Sequence, residues 1–468
     1  MALFIVLIEI IFIDNLASAG MEFVFSSVAV SIALLIQLRF ALRPTAESPA
    51  DMVMFIFNWL FLDLAPKLQL INMPQRLVNT STVTVDRVAL TNLVCALFMV
   101  AFTLFYGFLS KRSEAAGQTG AAADGSSAPQ ADTPQEFTAG AVGLAALICI
   151  GVVAAAAPSA YRAIEDAVAA SPASLMMKRF LLFLPSATML VLLNETVRSG
   201  RKLLFSRICV LLLLFALVLV TENTYTEKRN ALGPLYIALM LVGFPAWFGW
   251  SRRMLLLVGG MVVVFPAITI FTHNHLQTLG SVTMSQLSDQ IADHYYSINY
   301  DSWANIYTSI EIAQVHGMQW GHQLLGSLLF FVPSSVWSTK PLATGIFLAD
   351  YLIANYSMWF TNLSAPLIAE GYLDFGVAGV VAYAGVSACI VTGLNNLARR
   401  KSKWLFFPMS VYAAVFLMIV LRGSLMISLG FAAAAALAFV VAHALLSMKI
   451  GVRHRVARRI GTQPTTVS

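Results

Sequence analysis

Charged residues are scarce in this chain of 468 amino acids: Asp, Glu, Lys and Arg make up 11% of it, whereas hydrophobic residues make up 59%. A soluble globular protein carries about 25% charged residues. The scarcity of charge therefore excludes an ordinary soluble protein and predicts a polytopic integral membrane protein.

Cysteine is also rare, and its placement excludes two kinds of structure. All four cysteines lie within apolar runs, at Cys95, Cys149, Cys209 and Cys389. They are expected to be small buried side chains, so the sequence predicts neither a disulfide framework nor a zinc site.

Motifs for metals and nucleotides are absent as well. His273 and His275 are two positions apart, and His316 and His322 are six apart, so neither pair has the H-x-x-x-H spacing of a zinc helix. The chain has no glycine-rich phosphate loop. We therefore expect no metal, no ATP and no other cofactor.

Apolar runs are abundant, and twelve of them are candidates for membrane spans. They are centred on residues 3–16, 22–41, 51–66, 88–109, 137–157, 180–197, 203–221, 231–250, 254–272, 371–394, 404–421 and 425–446. The first run is also compatible with a signal peptide, although no Lys or Arg precedes it. The sequence predicts an all-α, transmembrane helical bundle of about 12 spans.

Basic residues indicate the orientation of these spans. With the N-terminus inside, 18 of the 29 Lys and Arg residues fall on the cytoplasmic side, as the positive-inside rule requires. An even number of spans then places both termini in the cytoplasm. The net charge of +6 follows from this topology, so nucleic-acid binding is not predicted.

The chain divides into six parts on this reading. They are 1–112 (spans 1–4), 113–136 (a disordered cytoplasmic linker), 137–272 (spans 5–9), 273–370 (a large outer loop with short interfacial helices), 371–446 (spans 10–12) and 447–468 (a basic cytoplasmic tail). The outer loop contains five of the seven histidines and four of the eight tryptophans, so we expect the chemistry there.

A helix is predicted within the outer loop, over residues 302–316. Its apolar residues repeat at helical spacing, at Trp303, Ile306, Tyr307 and Ile310. Asp301 occupies the predicted N-cap position, and Gly317 supplies a C-terminal stop.

The stretch FFVPSSVWSTKPLATG, residues 330–345, is unusual because it joins two prolines and a lysine to a short apolar segment at 324–332. That segment is too short to cross a membrane. Pro341 is expected to open a further helix that runs to about residue 355. Lys340 would then lie in a turn, with its ammonium group facing lipid phosphates.

Six short motifs follow one another along the second half of the chain: TEKRNALG (226–233), NYDSWAN (299–305), HG (316–317), FFVPSSVWSTKPLATG (330–345), AEGYLDFGVAG (369–379) and LRGSL (421–425). This ordered series resembles the Wzy-type O-antigen and polysaccharide repeat-unit polymerases of bacterial inner membranes. One departure is Ser334, where many members of that family have an arginine after the proline.

The resemblance implies a membrane glycosyltransferase with a periplasmic active site. Its substrates, as donor and acceptor, would be undecaprenyl-diphosphate-linked oligosaccharides, and the growing glycan would pass to a new repeat unit. Membrane lipid and a chain-length regulator are the other partners implied.

The diphosphate leaving group of such a reaction requires fixed cations, for which arginine is best suited. Arg229 and Arg422 lie at predicted outer ends of spans and are the first candidates for binding the diphosphate, with Lys340 third and Lys228 and Arg87 behind. The alternative is that these side chains extend to the membrane interface as anchors, which is the interpretation favoured for Lys67.

The attacking hydroxyl requires a base. His316, Asp301 and Glu370 are the candidate catalytic residues, with His322 and His294 in reserve. Structural alternatives are a helix cap at Asp301, a helix-dipole contact at His316 and an ion pair with an arginine at Glu370.

Two other functions are compatible with this sequence. An O-antigen ligase would share the spans and the large outer loop but would transfer the finished glycan to a lipid A core. A lipid-linked oligosaccharide flippase would line a central cavity with charge, whereas the predicted spans contain few ionisable residues, namely Glu9, Asp63, Glu195 and Arg207.

The topology is testable by cysteine labelling from outside the cell. A cysteine introduced at Gly125 should be protected from a membrane-impermeant maleimide, and one introduced at Trp320 should react, because the first lies in the predicted cytoplasmic linker and the second in the outer loop. Labelling at residue 125 in intact cells would overturn the orientation.

Overall fold

The structure, a computed structural model, is helical throughout its regular parts. It describes residues 1–16, 20–42, 48–123, 137–166, 172–199, 205–222, 229–264, 293–399 and 403–449. Within those ranges no strand occurs beyond one isolated bridge between Arg76 and Thr82. The all-α prediction is confirmed.

Sixteen α-helices are numbered here in chain order over the described ranges. They are α1 (Ala2–Leu16), α2 (Met21–Ala41), α3 (Ala50–Trp59), α4 (Ala65–Asn72), α5 (Val85–Ala123), α6 (Ala139–Asp166), α7 (Pro172–Arg198), α8 (Phe205–Thr221), α9 (Arg229–Gly243), α10 (Trp250–Gly259), α11 (Ser302–His316), α12 (His322–Leu328), α13 (Thr344–Tyr356), α14 (Leu367–Arg399), α15 (Lys403–Arg422) and α16 (Leu425–Leu446). A π-helical turn, Leu60–Leu64, connects α3 to α4 without a break.

Eight helical segments of the described ranges are long and apolar enough to cross a membrane. They are Met21–Ala41, Ala50–Asn72, Val85–Ala115, Ala139–Ala156, Met176–Arg198, Leu367–Arg399, Trp404–Arg422 and Leu425–Leu446. The chain is therefore a multi-pass membrane protein.

The other four predicted spans coincide with shorter helices or are described only in part. Phe205–Thr221 and Leu232–Gly243 are apolar but shorter than the eight, and α1 has 15 residues. The run at 254–272 is described only as far as residue 264. Residues 113–123, assigned to the linker from sequence, continue α5, while 124–136, 265–292 and 450–468 lie outside the described residues.

The helices pack around two main hydrophobic clusters. The first contains residues of helices α1 through α5 together with residues of α11 and α14. The second contains residues of helices α6 through α9 together with residues of α16. Helix α15 belongs to both, because Leu417 and Leu421 lie in the first cluster and Val411 and Val415 in the second. This helix therefore links the two groups, and it ends at Arg422.

Helix α11 has the bounds predicted from the sequence, but it is an inner helix rather than an interfacial one. Its residues from Ser302 to Ile312 are buried, and it packs against α5 and α14. The Trp303 indole donates a hydrogen bond to Asn92 Oδ1 on α5 at 3.1 Å.

Polar side chains on α11 are matched by the loop between α4 and α5, which explains why the helix can be buried. Asn79 Nδ2 donates to Asn305 Oδ1 and to Thr308 Oγ1, both at 2.9 Å. Tyr307 Oη donates to the Thr82 carbonyl at 2.7 Å. Buried polar groups are tolerated when they are paired in this way.

Helix α14 is broken near its start by glycine. Gly376 has φ 62° and ψ −141° inside the helix, in the left-handed region that other residues rarely adopt. The break brings Gly371 and Gly379 into contact, so that a Cβ on Gly379 would lie 1.9 Å from the Gly371 carbonyl oxygen. Glu370 and Asp374 lie on the short arm before the break.

This close contact predicts that Gly379→Ala is strongly destabilising. Overpacking costs about 1–3 kcal/mol where side chains can move, and the obstacle here is backbone, so the cost should be at the upper end or beyond. The measurement is the melting temperature and monodispersity of the purified chain in detergent. Gly393→Ala is the matched control on the same helix, because no atom lies within 4 Å of a Cβ there. Equal stability of the two variants would contradict the packing.

Candidate functional site

The ends of three candidate spans meet near Arg422. Helix α15 ends at Arg422, and α16 begins at Leu425 after a short turn. Because α14 and α15 are consecutive spans, the start of α14 lies at the same membrane face as the end of α15. The motifs AEGYLDFGVAG and LRGSL are therefore adjacent, although 41 residues lie between Gly379, the last residue of the first motif, and Leu421, the first residue of the second.

Arg422 forms an ion pair with Asp301, the residue before α11. Arg422 Nη2 lies 3.1 Å from Asp301 Oδ1 and 3.5 Å from the Ile298 carbonyl oxygen, and the guanidinium group lies over the ring of Phe61. Arg422 Nε has no hydrogen-bond acceptor among the described residues. The side chain is 19% exposed, so this arginine is held in place but is not closed to solvent.

Asp301 is almost completely buried, and both of its carboxylate oxygens have partners. Besides Arg422, it accepts hydrogen bonds at Oδ2 from Asn305 Nδ2 at 2.9 Å and from the Ser364 N–H at 3.0 Å. Asp301 lies at the predicted N-cap position, but its carboxylate makes no capping bond to the first turn of α11. It instead joins α11, α15 and the segment before α14.

Glu370 anchors the start of α16. Its Oε1 accepts hydrogen bonds from the Ser424 hydroxyl at 3.2 Å and from the Leu425 N–H at 2.9 Å. A carboxylate is favourable there because a helix N-terminus carries unpaired N–H groups and partial positive charge. The ion pair with an arginine considered from the sequence is not what holds Glu370. Its Oε2 has no hydrogen-bond donor in the described part of the chain.

Asp374 also lies near the candidate site, although it is not among the residues predicted from the sequence. It accepts hydrogen bonds from the Gln323 N–H at 3.1 Å and the Leu324 N–H at 2.9 Å, at the start of α12. Its spacing of four from Glu370 was the available signal. Nearby, the Thr344 N–H donates to the Ser424 hydroxyl at 3.2 Å. This contact brings the segment TKPLATG, residues 339–345, next to the turn between α15 and α16.

Lys340 closes a turn within its own motif. Its Nζ donates hydrogen bonds to the carbonyl oxygens of Phe330 at 2.8 Å and Val332 at 2.9 Å, and burial lowers the pKa of its ammonium group. Pro341 packs against Gly326, where a Cβ would lie 2.3 Å from the proline ring. The predicted helix therefore begins at Thr344 rather than at Pro341, and the unusual composition of the stretch is explained by a tightly packed turn.

His316 is exposed at the C-terminal end of α11, next to Tyr351. The two rings meet edge to face with centroids 5.8 Å apart. Tyr351 donates a hydrogen bond to Glu311 at 3.0 Å, and Arg87 pairs with the same carboxylate at 2.9 Å. Burial and then the bond to Glu311 raise the pKa of Tyr351 to about 12, so its phenol stays protonated. Arg87 is thus committed to a structural ion pair.

The structure does not bring His316 together with the other candidates. Asp301 and His316 lie at opposite ends of α11, which at the helical rise is a separation of roughly 22 Å. A proton acceptor for a sugar hydroxyl must be within hydrogen-bond reach of it. His316 and Arg422 therefore cannot act on one breaking bond in this arrangement.

The structure says less about the roles of the remaining candidate residues. Arg229 begins α9, but its side chain, like all of Lys228, lies outside the described residues. His322 Nε2 lies 3.2 Å from the Thr339 carbonyl oxygen, and the buried His294 contacts the ring of Tyr300. The roles predicted for these residues stay predictions.

The chain matches no protein-family model, no curated protein and no solved structure. Within the described ranges, no group of three His, Cys, Asp or Glu side chains is arranged to hold a metal ion. A function must therefore be inferred from the residues around Arg422 and from the motifs that contain them.

The Arg422 and Asp301 pair is open to a double-mutant cycle on stability. Arg422→Gln should destabilise the protein by about 3–5 kcal/mol, because it leaves a buried carboxylate without its cation. Adding Asp301→Asn should recover part of that loss, and thermal unfolding in detergent measures the coupling. Strictly additive losses would show that the two side chains do not interact.

Proposed function

We propose that this protein polymerises undecaprenyl-diphosphate-linked oligosaccharide repeat units into O-antigen or a related polysaccharide. The reaction would take place at the periplasmic face of a bacterial inner membrane, in a bundle of about 12 spans with both termini in the cytoplasm. One observation supports this proposal: four of the motifs meet at the turn between α15 and α16. Arg422 in LRGSL binds Asp301 in NYDSWAN. Ser424 and Leu425 in the same turn bind Thr344 in TKPLATG and Glu370 in AEGYLDFGVAG.

The proposed reaction is a glycosyl transfer between two lipid-linked substrates. A hydroxyl of the acceptor's terminal sugar attacks the anomeric carbon of the growing glycan, and its proton passes to solvent water. The bond from that carbon to the diphosphate oxygen breaks, and undecaprenyl diphosphate leaves with the electron pair. Negative charge therefore develops on the diphosphate, where a fixed cation lowers the barrier.

Arg422 meets the requirements of such a cation. It is the last residue of a candidate span, so it lies where the diphosphate of a membrane-anchored lipid would be. Asp301 orients one side of the guanidinium group, and the Arg422 side chain is 19% exposed. A phosphate oxygen would bind at the exposed part of this side chain.

Arg229 is proposed as the second cation for the same diphosphate. It begins α9, which packs along α15, the helix that ends at Arg422. Two guanidinium groups match several oxygens of one diphosphate through paired hydrogen bonds, which a lysine ammonium cannot do.

Asp301 and Glu370 are better suited to positioning than to proton transfer. Both are closed to solvent, so a substrate hydroxyl cannot reach either carboxylate in this arrangement. Asp301 holds Arg422, and Glu370 holds the turn that contains it. Lys340 likewise stabilises a turn, in the motif 330–345, by donating hydrogen bonds to the carbonyl oxygens of Phe330 and Val332.

His316 is proposed to contact the glycan rather than the reacting bond. It is exposed at the far end of α11, and Trp320 and Trp359 of the same outer region are also exposed, at 78% and 74%. Exposed aromatic and imidazole rings suit the faces of sugars. An acceptor oligosaccharide lying along this surface would place its reactive end toward Arg422.

A ligase and a flippase are the alternative functions. A deletion strain distinguishes the ligase, because loss of the polymerase leaves single repeat units attached to the lipid A core, whereas loss of the ligase leaves none attached. A flippase would need a charge-lined cavity for an oligosaccharide within the spans, and the cavity near Lys67, at about 10 Å³, is not such a cavity because it has room for only about one water molecule.

Arginine geometry at the proposed diphosphate site gives a sharp test. Arg422→Lys and Arg229→Lys should each reduce polymerisation about a hundredfold at matched protein level, since a charge-assisted bond to developing charge is worth roughly 3 kcal/mol. The measurement is the glycan ladder of a deletion strain complemented with each variant, followed by initial rates from the purified protein.

Arg76→Lys is the matched control, because Arg76 is an exposed arginine in the loop before α5. It should leave the ladder unchanged. Near-normal ladders from both Arg422→Lys and Arg229→Lys would show that these residues only anchor helix ends, a role that lysine fills equally well.

A further inference from the structure

A second polar centre, called here the Lys67 cluster, consists of Glu9, Ser31, Asp63 and Lys67. Lys67 Nζ donates hydrogen bonds to Glu9 Oε2, to Asp63 Oδ1 and, at 3.0 Å, to Ser31 Oγ. Ser31 in turn donates to Glu9 Oε2 at 2.6 Å. Lys67 is 5% exposed, so the interpretation of this residue as an interface anchor is wrong.

The backbone at the cluster is irregular in a way that places Asp63. The π-helical turn Leu60–Leu64 contains Asp63, and Lys67 follows four residues later in α4. A π-helical turn widens the helix and occurs frequently at functional sites. Glu9 and Ser31 approach from α1 and α2, so three separate chain segments supply the cluster.

The charges of the cluster do not balance. Two carboxylates and one ammonium group give a net charge of −1 when all three are ionised, and an uncompensated charge among apolar spans is costly. The charged groups that act on Asp63 are Lys67 and Glu9. The facing residues of α2 and α5, which include Ser27 and Asn92, are uncharged.

Two carboxylate oxygens of the cluster have no partner within the described residues, namely Glu9 Oε1 and Asp63 Oδ2, and neither has Ser27 Oγ. Both acids are more than nine-tenths buried. Asp63 and Ser27 line a cavity of about 10 Å³ together with Lys67 and Asn92, which is room for about one water molecule. The rest of the lining is apolar, from Phe12, Val30, Leu62, Pro66 and Leu70. A carboxylate that lacks one donor therefore lines a small, mostly apolar cavity.

We propose that the Lys67 cluster is a proton-binding site in which Asp63 Oδ2 takes up one proton. The bound proton makes the cluster neutral and becomes a donor toward the cavity, while Asp63 Oδ1 keeps its bond to Lys67. A metal cation fits less well, because the Lys67 ammonium group would repel it at hydrogen-bond distance of the same carboxylate.

The proton site is separate from the proposed glycosyl-transfer site but close to it in the fold. Asn92 accepts the hydrogen bond from Trp303 of α11, and Phe61 of the π-helical turn lies beneath Arg422. No residue of the Lys67 cluster belongs to the Arg422 site. The proposal therefore does not depend on the reaction that the protein catalyses.

Infrared difference spectroscopy of the full-length protein in nanodiscs tests this site. The wild type should show the C=O stretch of a protonated carboxyl group at neutral pH that is absent from Asp63→Asn. Asp14→Asn, which changes an exposed acid on α1, should retain it. The band should be the same in sodium and choline chloride. Identical spectra from the wild type and Asp63→Asn would overturn the proposal. Loss of the band in sodium chloride alone would show that the site binds a metal ion instead of a proton.

A second measurement does not require Asp63 to be changed. Lys67→Met leaves two buried carboxyl groups without a cation, so its folded state must hold more protons than the wild type. Its melting temperature should therefore rise more steeply than that of the wild type as the pH falls from about 8 to about 5, because stability increases toward low pH where the folded state binds more protons. Parallel pH profiles would contradict a proton site.

Discussion

The ion pair between Arg422 and Asp301 is the interaction on which the candidate site depends. It ties the start of a buried helix to the turn between two spans. Polar groups inside a membrane protein are stable mainly where they are paired. On α11, Trp303, Asn305 and Tyr307 are paired in this way, whereas Ser302 Oγ has no partner within the described residues. The pairing with Asp301 fixes the arginine that is proposed to bind a diphosphate.

Acidic side chains brace the irregular backbone around that pair. Glu370 accepts the first N–H of α16, and Asp374 accepts two N–H groups at the start of α12. Both acids lie on the short arm that the break at Gly376 creates. Broken helices whose ends are braced in this way are a recurrent means of building substrate sites in membrane proteins, which agrees with a site at this turn.

Sequence reasoning was most accurate where local chemistry decides the outcome. Trp303 and Ile310 mark the face of α11, and Gly317, with φ 84°, ends it. Contacts over long sequence separation were not predictable: the Asp301 carboxylate binds Arg422, 121 positions away, instead of capping its helix. The contacts of Lys340 are local, with the Phe330 and Val332 carbonyl oxygens, but they depend on a turn that hydropathy does not predict. Lys67 pairs with Asp63, four positions earlier, and with Glu9, which is 58 positions away. The first partner is visible in the sequence, but the second is not, because hydropathy gives no information on which charges meet. The span count, orientation and chemistry stay predictions.

The most direct test of the central claim is a reconstituted reaction with purified protein and a single substrate, the undecaprenyl-diphosphate-linked repeat unit. The account predicts a ladder of longer lipid-linked glycans that forms without ATP and without a lipid A core acceptor. Substrate that stays as single repeat units under these conditions, but is transferred once a lipid A core acceptor is added, would contradict polymerisation and identify a ligase.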